Sequence, residues 1–401
     1  MMMDLPGGIG MQVELPGAHV GIIGGGQLGR MATVAAHRLG VQVTVLDPTP
    51  GCPAAVVGAG QITAAFDDPD AVAQLAEVAD VITYEIELAD PALLDEDVVG
   101  ATPVHPAPET LRIIQDKHVQ NAHLQAAGIE TPRWVAVETP EELATARARF
   151  DGCVLKAREG GYDGRGVVLL DDTWDSAEAM EAIGGPAIAE EQVPFVRELS
   201  VMCVRGADGV RTYHPSENIH RDGVLHQVAV PPRTEIAVTE AATATARAVT
   251  ESLGGWGVFG VELFETAEGE IIVNEVAPRP HNSGHWTIEA ATVSQFANLI
   301  RAVLGWPTGA TTLKHPVVMA NILADVEAPV AAAIRGGELI LETPGAHLHW
   351  YGKRQARPGR KMGHITLVEP ANDPDDGVDT LLLDRVGEIA AGVTFNAAGD
   401  P

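Results

Sequence analysis

The middle of the chain carries a glycine-rich loop that could hold phosphate groups. A short apolar strand, Val154 to Lys156, ends in a lysine, and Gly-Gly-Tyr-Asp-Gly-Arg-Gly follows at residues 160–166. Four glycines in these seven residues exceed the one or two that an ordinary β-hairpin needs, and they let backbone amides approach phosphate oxygens. Lys156 adds a point charge, and Arg165 adds a planar guanidinium suited to oxyanions. The segment therefore predicts a hairpin that binds a triphosphate.

A second candidate site is an acidic hairpin further along the chain. The apolar segments Val258–Phe264 and Ile271–Val276 are joined by a turn centred on Glu268-Gly269, and this register places Glu262 directly opposite Glu275. Two like charges facing across strands repel each other, and a divalent cation between them removes that penalty. The hairpin therefore predicts a Mg²⁺ site, although a solvated pair of surface glutamates would show the same spacing.

The polar stretch Arg279–Trp286 follows the acidic hairpin immediately and enters a predicted helix at about Thr287. A helix N-terminus beside an arginine and a histidine favours an anion. A capped loop without a ligand is the alternative. His281 and His285 could instead bind a transition metal, but no third ligand has suitable spacing.

The first glycine loop allows more than one interpretation. Gly24, Gly26 and Gly29 form a GxGxxG between a strand and a helix, and Asp47 ends the next strand, as in a dinucleotide fingerprint. The same backbone amides suit any phosphate or carboxylate, and a tight turn without a ligand also fits. A dehydrogenase needs neither the second glycine loop nor the paired acids, so the rest of the chain disfavours a nicotinamide enzyme.

The elements that must position these residues indicate an α/β and α+β protein. Strands and helices alternate up to about Arg112, which predicts a parallel sheet covered by helices. A helix is predicted over 108–127, and strands with glycine turns dominate from 134 to 307, with helices near 141–149, 242–253 and 287–304. Strands are predicted over 317–323, 347–350 and 362–368 in the last segment, before a helix over 378–391.

Composition bounds the function classes. The 401 residues carry a formal charge of −29, which repels nucleic acid and anionic membranes, and no apolar run reaches the ~18 residues of a membrane span. The three cysteines are scattered, so neither a disulfide framework nor a zinc site is expected, and a reducing cytoplasm fits. Residues 1–17 lack the features of a signal peptide.

Taken together, the motifs resemble those of N5-carboxyaminoimidazole ribonucleotide synthetase, a family of ATP-grasp enzymes. The resemblance runs from about Val20 to Leu383 and rests on GGGQLGRM at 24–31, GGYDGRG at 160–166, NEVAPR at 274–279 and HNSGHW at 281–286. It implies an ATP-grasp fold in three domains: an N-terminal Rossmann-like pre-ATP-grasp domain (18–112), an ATP-grasp domain (113–310) with a glycine-loop lid at about 134–192, and a small β-rich C-terminal domain (311–401).

The resemblance also assigns site residues. The implied ATP site comprises Arg112, Lys156, Gly161, Tyr162, Asp163, Gly164, Arg165, Gly166, Val167, Glu190, Glu191, Gln192, Val193, Glu198, His220, Asn274 and Glu275. The implied metal ligands are Glu262 and Glu275. The implied ribonucleotide site comprises Gln27, Leu28, Glu85, Tyr162, Asp163, Arg165, Ser283, Lys353 and Arg360, with the phosphate on Lys353 and Arg360. The implied catalytic residues are Arg279, His281, Asn282 and Asp163.

The reaction implied by the resemblance is the ATP- and bicarbonate-dependent carboxylation of 5-aminoimidazole ribonucleotide through carboxyphosphate, in purine biosynthesis. Mg²⁺, replaceable by Mn²⁺, is the expected metal, and a homodimer is expected. The residues leave Asp163 and His281 as alternative proton acceptors. The other functions consistent with parts of the pattern are a sister ATP-grasp enzyme such as formate-dependent glycinamide ribonucleotide transformylase, an NAD-dependent oxidoreductase, and a non-catalytic nucleotide-binding protein.

Overall fold

The computed structural model of the protein describes residues 17–161, 166–369 and 378–396. The N-terminal part is a parallel sheet in the order β3-β2-β1-β4, with helices against it. Its elements are β1 (His19–Ile23), α1 (Gln27–Arg38), β2 (Gln42–Leu46), α2 (Pro53–Val56), β3 (Gly60–Ile62), α3 (Pro69–Val78), β4 (Val81–Tyr84), a 3₁₀ helix (Pro91–Leu94) and α4 (Glu96–Val99). The predicted parallel sheet is confirmed, and its carboxyl edge carries the first glycine loop and Glu85.

Two short helices lead into a separate four-stranded sheet. The helices are α5 (Pro108–Gln115) and α6 (Lys117–Ala126). The sheet is antiparallel, in the order β5-β8-β6-β7, with two helices against it. Its elements are β5 (Trp134–Val137), α7 (Pro140–Arg149), β6 (Cys153–Ala157), β7 (Val167–Leu170), α8 (Ser176–Ile183) and β8 (Ala187–Glu191). We call this unit the lid sheet, because the glycine loop 160–166 joins its strands β6 and β7.

A nine-stranded antiparallel sheet forms the centre of the molecule, in the order β14-β13-β9-β11-β12-β15-β20-β18, with β10 attached to β9. Its first part comprises β9 (Phe195–Gly206), β10 (Gly209–Thr212), β11 (Ser216–Arg221), β12 (Val224–Val230), α9 (Ile236–Leu253), β13 (Gly257–Thr266), β14 (Ile271–Ala277), α10 (Thr287–Ala290) and α11 (Gln295–Val303). The last part of the chain comprises β15 (Val317–Leu323), β16 (Val330–Ala331), β17 (Ala333–Arg335), α12 (Gly337–Glu342), β18 (Ala346–Trp350), β19 (Gln355–Ala356), β20 (Lys361–Val368), α13 (Thr380–Ala391) and β21 (Thr394–Asn396). Of these strands, β15, β18 and β20 belong to the central sheet, whereas β16 pairs with β19 and β17 with β21 in two separate two-stranded sheets.

The sheet runs across the predicted boundary after residue 310, because β12 pairs with β15. A single apolar core also joins the N-terminal part to the centre, since Met31 of α1, Trp286, Phe296 and Met319 belong to one buried cluster. The proposed division into three domains stays a prediction. The structure shows that strands of the last segment extend the central sheet.

Two predicted helices are interrupted in the structure. The helix predicted over 108–127 breaks at Asp116, whose side chain accepts a hydrogen bond from the His118 amide and so caps α6. The helix predicted over 287–304 breaks after Ala290, and Ser294 caps α11 through the Ala297 amide. At both breaks the apolar pattern continues, but a side chain that hydrogen-bonds to the backbone starts a new helix.

None of the helices in the described ranges is long and apolar enough to cross a membrane. All three cysteines are free and buried.

Candidate active site

The acidic hairpin has the predicted register at its two facing glutamates. Glu262 of β13 lies opposite Glu275 of β14. A register shift between Glu262 and Leu263 makes Asn274 the extra residue of a β-bulge, so nearer the turn the pairing is one residue off the prediction. The bulge lets two consecutive side chains, Asn274 and Glu275, both reach the cleft under the lid sheet.

Two lysines meet these side chains. The Lys117 ammonium lies 2.6 Å from a Glu275 oxygen. Lys156 of the lid sheet donates to the Asn274 side-chain oxygen over 2.9 Å and lies 2.6 Å from Glu190, which is buried. Lys117 was not among the predicted site residues. It stands 158 positions from Glu275, and the helix prediction placed it inside a continuous helix rather than at the start of α6.

The two facing carboxylates differ in their proton affinity. The Lys117 ammonium holds the pKa of Glu275 well below its usual range, so Glu275 is ionised at neutral pH. Burial, followed by the negative charge of Glu275, raises the pKa of Glu262 to about 7. Removing the Glu262 proton therefore costs free energy unless a cation is added to the pair.

His281 connects the acidic pair to the polar loop that follows it. Its Nε2 lies 3.0 Å from a Glu262 oxygen, and its Nδ1 lies 2.8 Å from the Ser283 hydroxyl. Asn282 is buried, and neither polar atom of its side-chain amide has a hydrogen-bond partner among the described residues. A buried amide without partners is costly, which marks this position as one where a ligand would be favourable. The anion site predicted at the start of the following helix loses support, because α10 has only four residues.

The carboxylate of Glu85 occupies the first glycine loop. It accepts hydrogen bonds from the amides of Gly26 and of Gly29, the second over 2.8 Å. A Cβ at Gly24 would lie 2.5 Å from the Glu85 side chain, so glycine is required there for this close approach. Burial raises the pKa of Glu85 to about 7 despite these two amides. An acidic side chain at this position competes with a dinucleotide pyrophosphate for the same amides, which disfavours the oxidoreductase interpretation.

Arg279 lies between the acidic pair and the first glycine loop. Its guanidinium is 2.8 Å from Glu87. Burial is the largest single effect on the pKa of Arg279 and lowers it, but the negative charges of Glu87, Glu85 and Glu275 together outweigh burial, so the pKa is raised. Glu87, which was not predicted as a site residue, holds Arg279 in this position.

The first and last parts of the chain meet beside the same loop. The Lys353 ammonium donates to the Gln27 side-chain oxygen over 2.6 Å and to the Lys361 carbonyl over 2.7 Å. Leu28, the next residue of α1, is buried in the core. Arg360 donates to the Gln355 carbonyl, and no described contact joins it to Lys353.

The other predicted nucleotide residues are only partly brought together. His220 lies 2.7 Å from Glu198, which raises the pKa of His220 although burial, the larger single effect, lowers it. Glu191 instead pairs with the exposed Arg133. Arg112 lies 2.5 Å from Asp95, and no described contact links it to Lys156.

For the remaining residues of the predicted nucleotide site, the structure gives backbone contacts and positions along the lid sheet. The Gln192 amide donates to Gly152, and the Val193 carbonyl accepts from Phe195. Gly161, Gly166 and Val167 lie at the ends of the lid loop, and Val167 pairs with Lys156. Tyr162, Asp163, Gly164 and Arg165 lie outside the described residues.

The residues present fit a hard divalent cation. Oxygen ligands suit Mg²⁺, and Glu262, Glu275 and Asn274 all offer oxygens to one cleft. Within the part of the chain that the structure describes, no three His, Cys, Asp or Glu side chains form a metal cage. Mg²⁺ commonly completes its shell with phosphate oxygens of the substrate and with water.

A lid sheet with a glycine loop, placed over an antiparallel hairpin that bears facing carboxylates and is met by two lysines, defines an ATP-grasp enzyme. The family model for the ATP-grasp domain matches residues 122–296, that for the ribonucleotide synthetase pre-ATP-grasp domain matches 18–115, and that for the phosphoribosylaminoimidazole carboxylase C-terminal domain matches 317–374.

The chain is 43% identical to N5-carboxyaminoimidazole ribonucleotide synthase of Brucella melitensis over 360 residues, covering 88% of this chain and 97% of the relative. It belongs to the N5-carboxyaminoimidazole ribonucleotide synthase family. Two structures of the Aspergillus clavatus enzyme are also similar, each with a TM-score of 0.84 and each covering 93% of this chain and 98% of the other. One is complexed with ATP at 35% identity, and the other with ADP and 5-aminoimidazole ribonucleotide at 34% identity.

Proposed function

We propose that this protein carboxylates the exocyclic amine of 5-aminoimidazole ribonucleotide with ATP and bicarbonate, forming N5-carboxyaminoimidazole ribonucleotide, ADP and phosphate in purine biosynthesis. The observation that carries the proposal is the cleft in which Glu262 faces Glu275, with Lys117 2.6 Å from Glu275 and His281 3.0 Å from Glu262. Family membership supplies the identity of the amine.

The nucleotide would lie between the lid sheet and the central sheet. Lys156 and Lys117 face the position of the phosphates, Glu198 is suited to the ribose hydroxyls, and residues 190–193 line the place of the adenine edge. Glu262, Glu275 and Asn274 would hold Mg²⁺ or Mn²⁺, which when bound neutralises phosphate charge during phosphoryl transfer. Lys156 lies only 2.6 Å from Glu190 in the structure, so phosphate competes with that carboxylate for the ammonium.

The chemistry proceeds in two steps. A bicarbonate oxygen attacks the γ-phosphorus of ATP and ADP leaves, which gives carboxyphosphate. The amine nitrogen then attacks the carboxyl carbon directly, or captures CO₂ released from carboxyphosphate in the closed site, and phosphate leaves with one former bicarbonate oxygen. Arg279 and the Asn282 amide are placed to hold the anionic carboxyl group. Asp163 or His281 takes the proton that the amine loses.

Water must be excluded, because carboxyphosphate hydrolyses readily. We infer that the loop 160–166 closes over the phosphates, since in the sequence it joins the two strands of the lid sheet that carry Lys156 and Val167. Gln27, Glu85, Lys353 and Arg360 would bind the ribonucleotide from the opposite side, with Lys353 and Arg360 on its phosphate. We further propose a cytoplasmic homodimer.

The experiment is a phosphate-release assay in which ATP, bicarbonate and 5-aminoimidazole ribonucleotide are omitted in turn. The proposal expects full release only with all three present. Equal release without bicarbonate, or release supported by formate with glycinamide ribonucleotide, would contradict it. Light scattering of the purified protein tests the dimer.

A further inference from the structure

Three histidines, two of them buried and one partly buried, lie together beside the His281–Ser283 loop, on elements from two distant parts of the chain. His285 follows the loop, His349 is on β18 and His364 is on β20. The rings of His349 and His364 stack with centroids 4.4 Å apart and an interplanar angle of 11°. The ring of His285 lies 4.7 Å from that of His364. We call these three residues the histidine stack. None of them has been given a role in the proposed chemistry.

One end of the histidine stack leads to His281. The Gln295 side-chain oxygen accepts from the His281 amide over 3.0 Å, and its nitrogen donates to the His281 carbonyl over 2.8 Å. The same nitrogen lies 3.3 Å from Nδ1 of His285. Because this nitrogen can only donate, Nδ1 of His285 is the acceptor and its proton is on Nε2. Gln295 thus joins His285 to both backbone groups of His281.

The other end leads to Lys353. The Tyr351 hydroxyl lies 2.8 Å from Nδ1 of His364, and the Lys353 ammonium lies 5.5 Å from the centre of the Tyr351 ring. That ammonium also contacts Gln27. On the side of the stack, His349 contacts Glu289 of α10 over 2.8 Å. The stack therefore spans from the loop that contacts the acidic pair to the loop proposed to bind the ribonucleotide phosphate.

The composition of the stack suggests a purpose other than stability. His285 and His364 are fully buried, and Nε2 of each has no hydrogen-bond partner among the described residues. Burial is the largest effect on both rings and lowers the pKa of each well below the usual range, so both rings are neutral. An apolar filling of the same volume would avoid the unpaired polar atoms. What the histidines add over apolar rings is a set of directional contacts.

We infer that the histidine stack is a positioning device, which sets the Tyr351–Lys353 segment in register with the His281–Ser283 loop so that ribonucleotide and carboxyl donor meet. The stack itself contacts no reactant. The inference rests on the proposed function. It assigns His364 and Tyr351 as positioning residues for ribonucleotide binding, through the hydroxyl-to-imidazole contact, and it assigns no metal or proton-transfer role to the stack.

The test uses His364→Phe, His364→Asn and Tyr351→Phe in the full-length protein. Phenylalanine keeps a ring of similar size without an acceptor, whereas the asparagine oxygen can replace Nδ1 as the acceptor of the Tyr351 hydroxyl. His347→Phe, at an exposed position of β18, the strand that precedes Tyr351, is the control. The dissociation constant for 5-aminoimidazole ribonucleotide is measured by calorimetry, the KM values for ribonucleotide and ATP by phosphate release, and folding by thermal unfolding.

We expect His364→Phe and Tyr351→Phe to weaken ribonucleotide binding about tenfold each, equivalent to the loss of one hydrogen bond, and not to add in the double variant. The KM for ATP should stay within about twofold, the thermal midpoint of the double variant, which removes both partners of the buried hydrogen bond, should not fall, and His364→Asn should recover much of the affinity. Unchanged affinity in both phenylalanine variants, or losses that follow the thermal midpoint in every variant, would overturn the positioning role. A wild-type protein that binds no ribonucleotide would instead contradict the proposed function, and the inference with it.

Discussion

Asn274 and Glu275 are consecutive residues, yet both side chains contact lysines in the cleft, Asn274 with Lys156 and Glu275 with Lys117. Neighbours on a regular strand point to opposite faces. The bulge at this point removes that constraint. The pairing of Glu262 with Glu275 could be predicted by counting from the turn, but the bulge could not, because no glycine or proline marks it. Lys117 was not predicted as a site residue either, because its contact with Glu275 depends on tertiary packing and leaves no local signal in the sequence.

Glu275→Gln should lower turnover on the order of a hundredfold or more, since even indirect contacts to a metal ligand change activity by about 10- to 100-fold. It should also reduce the stability of the metal-free protein at neutral pH. Although the change relieves the repulsion of Glu262, it leaves the partly buried Lys117 ammonium without a charged partner. Steady-state kinetics and thermal unfolding measure both effects. Glu268→Gln, at the exposed turn of the same hairpin, is the control and should change neither. Normal turnover of Glu275→Gln at ordinary Mg²⁺ concentration would refute the metal assignment.

The pKa of about 7 at Glu262 predicts a pH dependence of Mg·ATP binding. A carboxyl group whose pKa is raised by folding is protonated in the folded protein at pH 6, so the metal-free protein loses stability as the pH rises from the ordinary carboxyl range through about 7. Binding a cation must displace that proton. We therefore expect Glu262 to release more proton on cation binding at pH 6 than at pH 8.

Calorimetry in buffers of different ionisation enthalpy measures this proton release. Glu262→Gln provides the correction for protons that come from the nucleotide itself. Equal proton release by wild type and Glu262→Gln at pH 6 would show that Glu262 is already ionised before the cation binds.

At the scale of elements, the break at Asp116 is what brings Lys117 to the site. Asp116 caps α6 and also holds Arg158 of the lid sheet in an ion pair. Sequence periodicity predicted the helical residues correctly on both sides but missed the break, because an aspartate inside an amphipathic run does not by itself indicate a cap. The break between α10 and α11 was missed in the same way. It lets Gln295, the first residue of α11, reach the backbone of His281.

Asp116→Ala should therefore reduce both stability and turnover. Loss of the cap costs about 0.5–2 kcal/mol, and loss of the Arg158 contact frees the lid sheet from the start of α6. Asp116→Asn keeps the capping oxygen and should retain most of the stability, while turnover still falls. Thermal unfolding and kcat separate the two effects. Asp68→Ala removes the corresponding cap of α3, which carries no site residue, and should lower stability with turnover unchanged. Equal turnover in all three variants would mean that α6 does not position Lys117 for catalysis.

At the scale of the whole molecule, the proposed ribonucleotide site is made by the two ends of the chain. Gln27 opens α1 and Lys353 follows β18, and their side chains meet over 2.6 Å. The parallel sheet and the three longest late strands, β15, β18 and β20, could be predicted from apolar patterns, whereas the short strands β16, β17, β19 and β21 were not predicted. The continuity of the central sheet through β12 and β15 could not, because strand order leaves no local signal.

Lys353→Ala and Arg360→Ala should each raise the ribonucleotide KM roughly tenfold to hundredfold, as expected for a lost charge-assisted phosphate contact, with ATP KM nearly unchanged. Gln27→Ala should act in the same direction, and its effect should not add to that of Lys353→Ala, because the two side chains touch. Lys314→Ala, an exposed lysine of the same part of the chain, is the control. A rise in ATP KM alone would contradict the assignment. NAD should not bind, because Glu85 holds the amides of the first glycine loop.

The most direct test of the account is the fate of the bicarbonate oxygens. With bicarbonate labelled with ¹⁸O, ATP and 5-aminoimidazole ribonucleotide, mass spectrometry of the released phosphate should find one ¹⁸O atom per phosphate, because a bicarbonate oxygen attacks the γ-phosphorus and leaves with it. Direct attack of the amine on carboxyphosphate and capture of released CO₂ both give this result. Phosphate without ¹⁸O, formed at the rate of product formation, would show that water or the amine attacks ATP directly and would contradict carboxyphosphate as the intermediate.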